Sequence, residues 1–185
     1  MLRSPPAASG ADGCPEPLAR LPHGYAAIGT FLERADNTAR LLDVKFQSLA
    51  GDYFGAGSGN AETLEVDFYH WSAVLRSVSG FEVYRKVYRN VIRPDKVAEL
   101  LILRPDMPRS LAACMNEVVA NLTHEANAQS SETVRRAGRL RSDLQYGRID
   151  EILSTGLHAY LTQFLDRVGD LGAGISSDFL VPMAA

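Results

Sequence analysis

The chain has 185 residues and a formal net charge of −3, and 46% of its residues are hydrophobic while 22% are charged. These values are ordinary for a globular protein, and one domain is expected at this length. The slight negative charge argues against a dedicated nucleic-acid binder. No apolar run reaches the roughly 20 residues that a membrane-spanning helix needs. From the charge and the apolar runs together, we expect neither a nucleic-acid nor a membrane partner.

The amino-terminal segment, residues 1–23, is rich in proline and carries no apolar signal core. Because proline interrupts regular helix, we expect a disordered or irregular tail there. The two cysteines, Cys14 and Cys114, are isolated and do not make a disulfide framework. Free thiols suit a reducing compartment, so we expect a cytoplasmic protein.

The rest of the chain has apolar residues at helical spacing. The first helix is predicted over about 24–50, where an apolar stripe alternates spacings of four and three, and 51–60 is predicted to be a flexible loop. No segment shows the alternation of a strand. We therefore expect one all-α domain over 24–180, an up-and-down antiparallel bundle of six to seven helices. The further helices are predicted over about 62–79, 81–93, 94–103, 109–130, 131–146 and 149–176.

The most distinctive feature of the first predicted helix is a polar stripe beside its apolar face. At 100° per residue, one arc holds Glu33, Asp36, Asn37, Arg40 and Asp43, and Asp36 can pair with Arg40 four residues later. Two interpretations remain open. The stripe could lock neighbouring helices in register. Alternatively, Glu33 and Asp36 could face a cleft, where they would bind a divalent cation or transfer a proton.

A second candidate site lies at a predicted helix start that follows Pro108. Free backbone N–H groups and arginine at such a start can bind an anion, so Arg109, Ser110 and Arg76 are candidate ligands of a phosphate or carboxylate. The alternative is that Arg109 caps the helix or pairs locally. The glycine-rich segment GAGSGN lacks the features of a phosphate loop, and no histidine is placed to activate Cys114. We predict no cofactor and no metal, and we assign no catalytic residue.

Glu33-Arg34 lies within the segment FLERADNTARLLDVK, and three later segments follow it in order along the chain. Together these segments resemble the alpha-E family, which is named for an all-helical domain with an E-R signature. The resemblance covers about residues 24–180 and matches the second of the two similar halves that alpha-E proteins contain. The three later segments are WSAVLRSVSGFEVYRKVY (71–88), LLILRPDMPRSL (100–111) and GRIDEILSTGLHAYLTQFL (147–165).

The resemblance implies a bacterial protein that works beside ATP-grasp proteins in amide-bond formation or peptide modification, with no established reaction of its own. The expected function is therefore an accessory interaction module, and Arg34 joins the polar stripe as a candidate site residue. The expected partner is an ATP-grasp-type protein, a second E-R helical half or another copy of this chain. The alternatives are an enzyme that uses Glu33 and Asp36, and a purely structural half-domain.

Overall fold

The computed structural model describes residues 23–53, 61–127 and 129–180, and the side chains within 24–47, 68–127 and 129–179. The predictions for the tail up to residue 22 and for residues 54–60 of the predicted loop lie outside these ranges. Over the described ranges, the regular elements are all helical, which confirms the all-α bundle. They are α1 (His23–Tyr53), α2 (Ala61–Ser77), α3 (Phe81–Tyr88), α4 (Pro94–Ile102), α5 (Leu111–His124), α6 (Ser131–Tyr146), α7 (Ile149–Thr155), α8 (Leu157–Ile175) and a terminal π-helical turn, Ser176–Leu180.

The long helix α1 forms the centre of the bundle. It packs most extensively on α5 and α8, and α5 and α8 in turn pack on α6. The predicted apolar stripe faces this core, since Ile28, Ala35, Ala39 and Leu42 are buried. The two alanines are fully buried and leave room for a neighbouring helix to approach closely.

The helix predicted over 81–93 ends early, at Tyr88. Arg89 adopts a left-handed conformation with φ of 52°, which terminates α3. Arg93 is extended, as expected for a residue that precedes proline, and Pro94 begins α4. The Tyr84 hydroxyl holds the intervening segment, because it donates to the Val91 carbonyl and accepts from the Arg93 amide, both at 3.1 Å.

The helix predicted over 149–176 is two helices in the structure. Gly156 separates them with φ of 103°, a conformation that side chains with a Cβ rarely adopt. Its amide donates to the carbonyls of Ile152 and Leu153 and so closes α7. This break gives eight α-helices over the described ranges, where the sequence predicted six to seven. None of these helices is both long enough and apolar enough to cross a membrane.

Candidate functional site

A cleft of about 370 Å³ opens where α1 passes the end of α2 and the start of α5. We call it the Glu33 cleft. One wall is a single face of α1, because residues three and four apart share a face of a helix. Ser77 and Val78 at the end of α2 and Arg109 just before α5 line the opposite side. The α1 residues of the wall are Thr30, Glu33, Arg34, Asn37, Thr38 and Leu41.

The polar groups of the Glu33 cleft are largely without protein partners. Glu33, Asn37 and Arg109 are exposed, and among the residues that the structure describes none of the three side chains forms a hydrogen bond or ion pair. Arg34 is half-buried, and its guanidinium carbon lies 5.2 Å from the centre of the Phe31 ring, a cation–π distance that leaves its N–H donors available. The cleft therefore presents one carboxylate, one amide and two guanidinium groups to a ligand.

Arg34 and Arg109 line the same cleft, and the charges of both act on the Cys114 thiol. Burial raises the pKa of Cys114 to about 11, and the positive charges of Arg34 and Arg109 oppose that shift. Cys114 itself is fully buried in α5 and stays protonated at neutral pH, so it is a packed side chain rather than a nucleophile.

The rest of the predicted stripe on α1 lies outside the cleft lining. Arg40 donates two hydrogen bonds to Asp36, from Nε to Oδ2 at 2.7 Å and from Nη2 to Oδ1 at 3.1 Å. Asp43 continues on that side, where its Oδ1 lies 2.8 Å from Nδ1 of His158 in α8. The structure thus brings Glu33, Arg34 and Asn37 together with Arg109, and it places Asp36 and Arg40 as a separate pair.

The members of the predicted anion site do not share one cleft. Ser110 is fully buried, and its hydroxyl accepts a hydrogen bond from the Ala113 amide at 3.0 Å as the N-cap of α5. Arg76 has its guanidinium carbon 5.2 Å from the centre of the Phe81 ring, and it is not part of the cleft lining. Of the three residues, Arg109 alone lines the Glu33 cleft.

The comparison with protein families gives one match. The model of the Alpha-E family, described as a predicted alpha-helical domain with a conserved ER motif, matches residues 24–180. The chain belongs to the Alpha-E family. Neither the curated proteins nor the solved structures contain a match.

The ER motif of this Alpha-E chain can be located without ambiguity. Glu33-Arg34 is the one place in the 185-residue sequence where arginine directly follows glutamate. Both residues of the motif line the Glu33 cleft. The feature that the family description singles out therefore coincides with the cleft in which charged side chains have no partner among the described residues.

The sequence did not predict the other lining residues of the Glu33 cleft. Thr30, Thr38 and Leu41 lie three or four residues from members of the motif stripe, so helical periodicity could have indicated them. Ser77 and Val78 carry no such signal, because only the packing of α2 against α1 brings them there. Thr38 is only 3% exposed, so it forms part of the floor rather than the rim.

A metal centre is not assembled in the described part of this Alpha-E chain. No group of three or more His, Cys, Asp or Glu side chains within those ranges could hold a metal ion. Glu33 and Asp36 do not form a carboxylate pair in the cleft, because both oxygens of Asp36 accept hydrogen bonds from Arg40. A cation at Asp36 would have to displace that guanidinium group.

A second cleft, of about 290 Å³, lies between α6 and α8 and is lined by Arg136, Arg139 and Arg167. Much of its positive charge is already neutralised. Arg136 pairs with Glu132 at 2.9 Å, and Arg167 pairs with Asp143 at 2.7 Å. Exposed pairs of this kind form part of a solvated surface, so this cleft is a weaker candidate than the Glu33 cleft.

Proposed function

We propose that this Alpha-E chain is an accessory interaction module of an ATP-grasp-type system that forms amide bonds or modifies peptides. The module has no reaction of its own, and it contacts its partner through the Glu33 cleft. One observation carries the proposal: the ER motif lies in an open cleft, and its charges form no ion pair with any residue that the structure describes. If the motif served packing alone, its charged side chains would be expected to pair with groups on neighbouring helices.

The chemistry of the cleft favours binding over catalysis. A nucleophile needs an activated side chain, and the pKa of the Cys114 thiol is raised to about 11 by its burial. A carboxylate pair for acid–base or metal chemistry would need Glu33 and Asp36 in one place, and Asp36 is bound by Arg40 instead. Charged groups held on a rigid helix without partners are instead suited to recognise a complementary group.

The ATP-grasp partner follows from the resemblance to the alpha-E family rather than from the geometry of the cleft. The same resemblance offers a second E-R helical half as an alternative partner. Either partner would have to present groups that complement two arginines and one glutamate. The identity of the captured protein therefore distinguishes the two.

The test is affinity purification of the tagged chain from the cells that produce it, followed by mass spectrometry. The wild-type chain is compared with the double variant Glu33→Gln/Arg34→Gln and with the matched control Asp36→Asn/Arg40→Gln. The control removes the same two types of charge from the same helix, outside the cleft lining. Thermal melts of all three proteins establish that each is folded.

We expect an ATP-grasp-type protein to co-purify with the wild type and the control, and to be lost with the cleft variant. Capture of a second E-R helical protein in the same pattern would replace the ATP-grasp partner with the alternative. Equal capture by the cleft variant and the wild type, or no partner with any of the three, would overturn the proposed module.

A further inference from the structure

Six of the other twelve arginines with described side chains have a close carboxylate partner, whereas the arginines of the Glu33 cleft do not. Arg40, Arg93, Arg104, Arg135, Arg136 and Arg167 each have a carboxylate within 3.1 Å. Arg34 and Arg109 have none within the described ranges, although Glu33 is the immediate neighbour of Arg34 and lines the same cleft. Two guanidinium groups that line one cleft and are not bound by a carboxylate are ready to bind a planar anion in a bidentate manner.

The glutamate of the motif limits the kind of anion. Glu33, Arg34 and Arg109 together give the cleft a formal charge of +1, which matches a monoanion better than a phosphate dianion. Glu33 would repel a phosphate dianion more strongly than a monoanion, and it can accept a hydrogen bond from an N–H group. The start of α5 adds little to phosphate binding, because the Ser110 hydroxyl already accepts from the Ala113 amide.

The size of the cleft limits the ligand further. A volume of about 370 Å³ lies at the lower end of the range for small-molecule pockets, roughly 300–1,000 Å³. Leu41 and Val78 contribute apolar surface beside the charged groups. A ligand of one or two amino-acid residues has this size and this combination of polar and apolar groups.

We infer that the Glu33 cleft binds a carboxylate that carries a neighbouring N–H donor, as at the carboxyl end of a peptide or in a free amino acid. Arg34 and Arg109 hold the carboxylate, and Glu33 accepts from the N–H group. This inference rests on the cleft of the proposed function and names the chemical group that the cleft receives. It does not depend on the identity of the partner protein.

The inference is tested by NMR titration of the full chain at constant ionic strength with three probes. N-acetyl-L-alanine represents a peptide carboxyl end, L-alanine represents a free amino acid, and L-alaninamide lacks the carboxylate. We expect one or both carboxylate probes to shift the resonances of the cleft residues, and we expect L-alaninamide not to shift them. The stronger of the two carboxylate probes identifies the source of the ligand.

The variants make the test specific to the cleft. Arg109→Gln is expected to weaken the binding of the carboxylate probe by about tenfold or more, since a charge-assisted hydrogen bond contributes about 1.5–3 kcal/mol. Glu33→Gln should weaken the binding of N-acetyl-L-alanine. The binding of acetate, a fourth probe that has no N–H group, should be unaffected or tighter in this variant. The Asp36→Asn/Arg40→Gln control should bind as the wild type does.

Binding of L-alaninamide as tight as that of the carboxylates, or no binding by any probe, would overturn the inference. An equal loss of affinity in the Asp36→Asn/Arg40→Gln control would also overturn it. These outcomes are separate from failure of the proposed function. Partner capture that depends on Glu33 and Arg34 without probe binding would leave the module standing. Probe binding without any captured partner would remove the module but keep the ligand.

Discussion

The Arg40 guanidinium holds both carboxylate oxygens of Asp36, one helical turn earlier on α1. Glu33, three residues before Asp36, makes no such bond within the described part of the chain and instead lines a cleft with Arg34 and Arg109. One helix thus carries a closed ion pair on one side and open charges on another. This division separates the residues that stabilise α1 from the residues that are free to bind.

The Asp36–Arg40 pair gives the first prediction, which concerns stability. Its side chains are 31% and 64% exposed, so solvent screens the pair, and i,i+4 pairs of this kind contribute about 0.3–0.5 kcal/mol. We expect Asp36→Asn to lower the free energy of unfolding by no more than about 0.5 kcal/mol in urea titrations. The effect should shrink in 1 M salt, where the Debye length is about 3 Å. A loss of several kcal/mol would show that Asp36 has a buried role.

Two glycines of α8 give a matched pair of opposite predictions. A Cβ on Gly174 would lie 2.8 Å from Thr133 Oγ1 on α6, whereas a Cβ on Gly169 would meet nothing within 4 Å. Gly174→Ala therefore forces α6 and α8 apart, and we expect a net loss of about 1 kcal/mol in the free energy of unfolding. Gly169→Ala should gain about 0.5–1 kcal/mol, since alanine favours helix.

Urea unfolding of both glycine variants under the same conditions checks the α6–α8 contact. Thr133 is held at that contact because its hydroxyl donates to Asp178 in the terminal turn, so it cannot move aside freely. If Gly174→Ala stabilised the protein as much as Gly169→Ala does, the close packing of α6 on α8 at this position would be refuted.

The buried thiol of Cys114 predicts a dependence of stability on alkaline pH. Burial raises its pKa from 9.0 to about 11. Below pH 9 the thiol is protonated in both the folded and the unfolded chain, so its full contribution is present. Between pH 9 and about 11 the unfolded chain releases the proton while the folded chain keeps it, so the free energy of unfolding falls. We expect a contribution on the order of 1–3 kcal/mol to be lost over this range.

Tyrosine ionisation also lowers the stability as the pH rises, because burial raises the pKa of Tyr160 to about 12. We therefore compare the free energies of unfolding of the wild type and Cys114→Ala, both measured by urea unfolding at each pH from 8 to 11. We expect the stability advantage of the wild type to shrink as the pH rises. A constant difference across this range would mean that the thiol has the same pKa in both states.

Much of the fold could be predicted because helical periodicity and end signals are local. The bounds predicted for α6 agree with the structure, and the apolar stripe of α1 is buried at Ile28, Ala35 and Leu42. The break at Gly156 was missed because the apolar spacing runs through it, and only the positive φ of that residue separates α7 from α8. The backbone conformation at one residue is not encoded in periodicity.

The candidate site could be predicted only in part. Periodicity placed Glu33, Asn37, Asp36 and Arg40 on one continuous arc, but it could not indicate which part of the arc faces a neighbouring element. The end of α2 and the start of α5 cover one side of α1, which puts Arg109 opposite Glu33. Asp36 lies outside this cleft and pairs with Arg40. Such pairings between distant segments depend on how the helices pack, and a single sequence does not specify that packing.

The central claim is that Glu33 of the ER motif is held ready for a ligand and does not lock the bundle. The free energy of unfolding of Glu33→Gln, measured in urea beside the wild type, tests it most directly. We predict that the two values agree within about 0.5 kcal/mol, as is usual for an exposed side chain without partners. A loss of 2 kcal/mol or more, roughly the effect of removing one partner from a buried network, would contradict the claim.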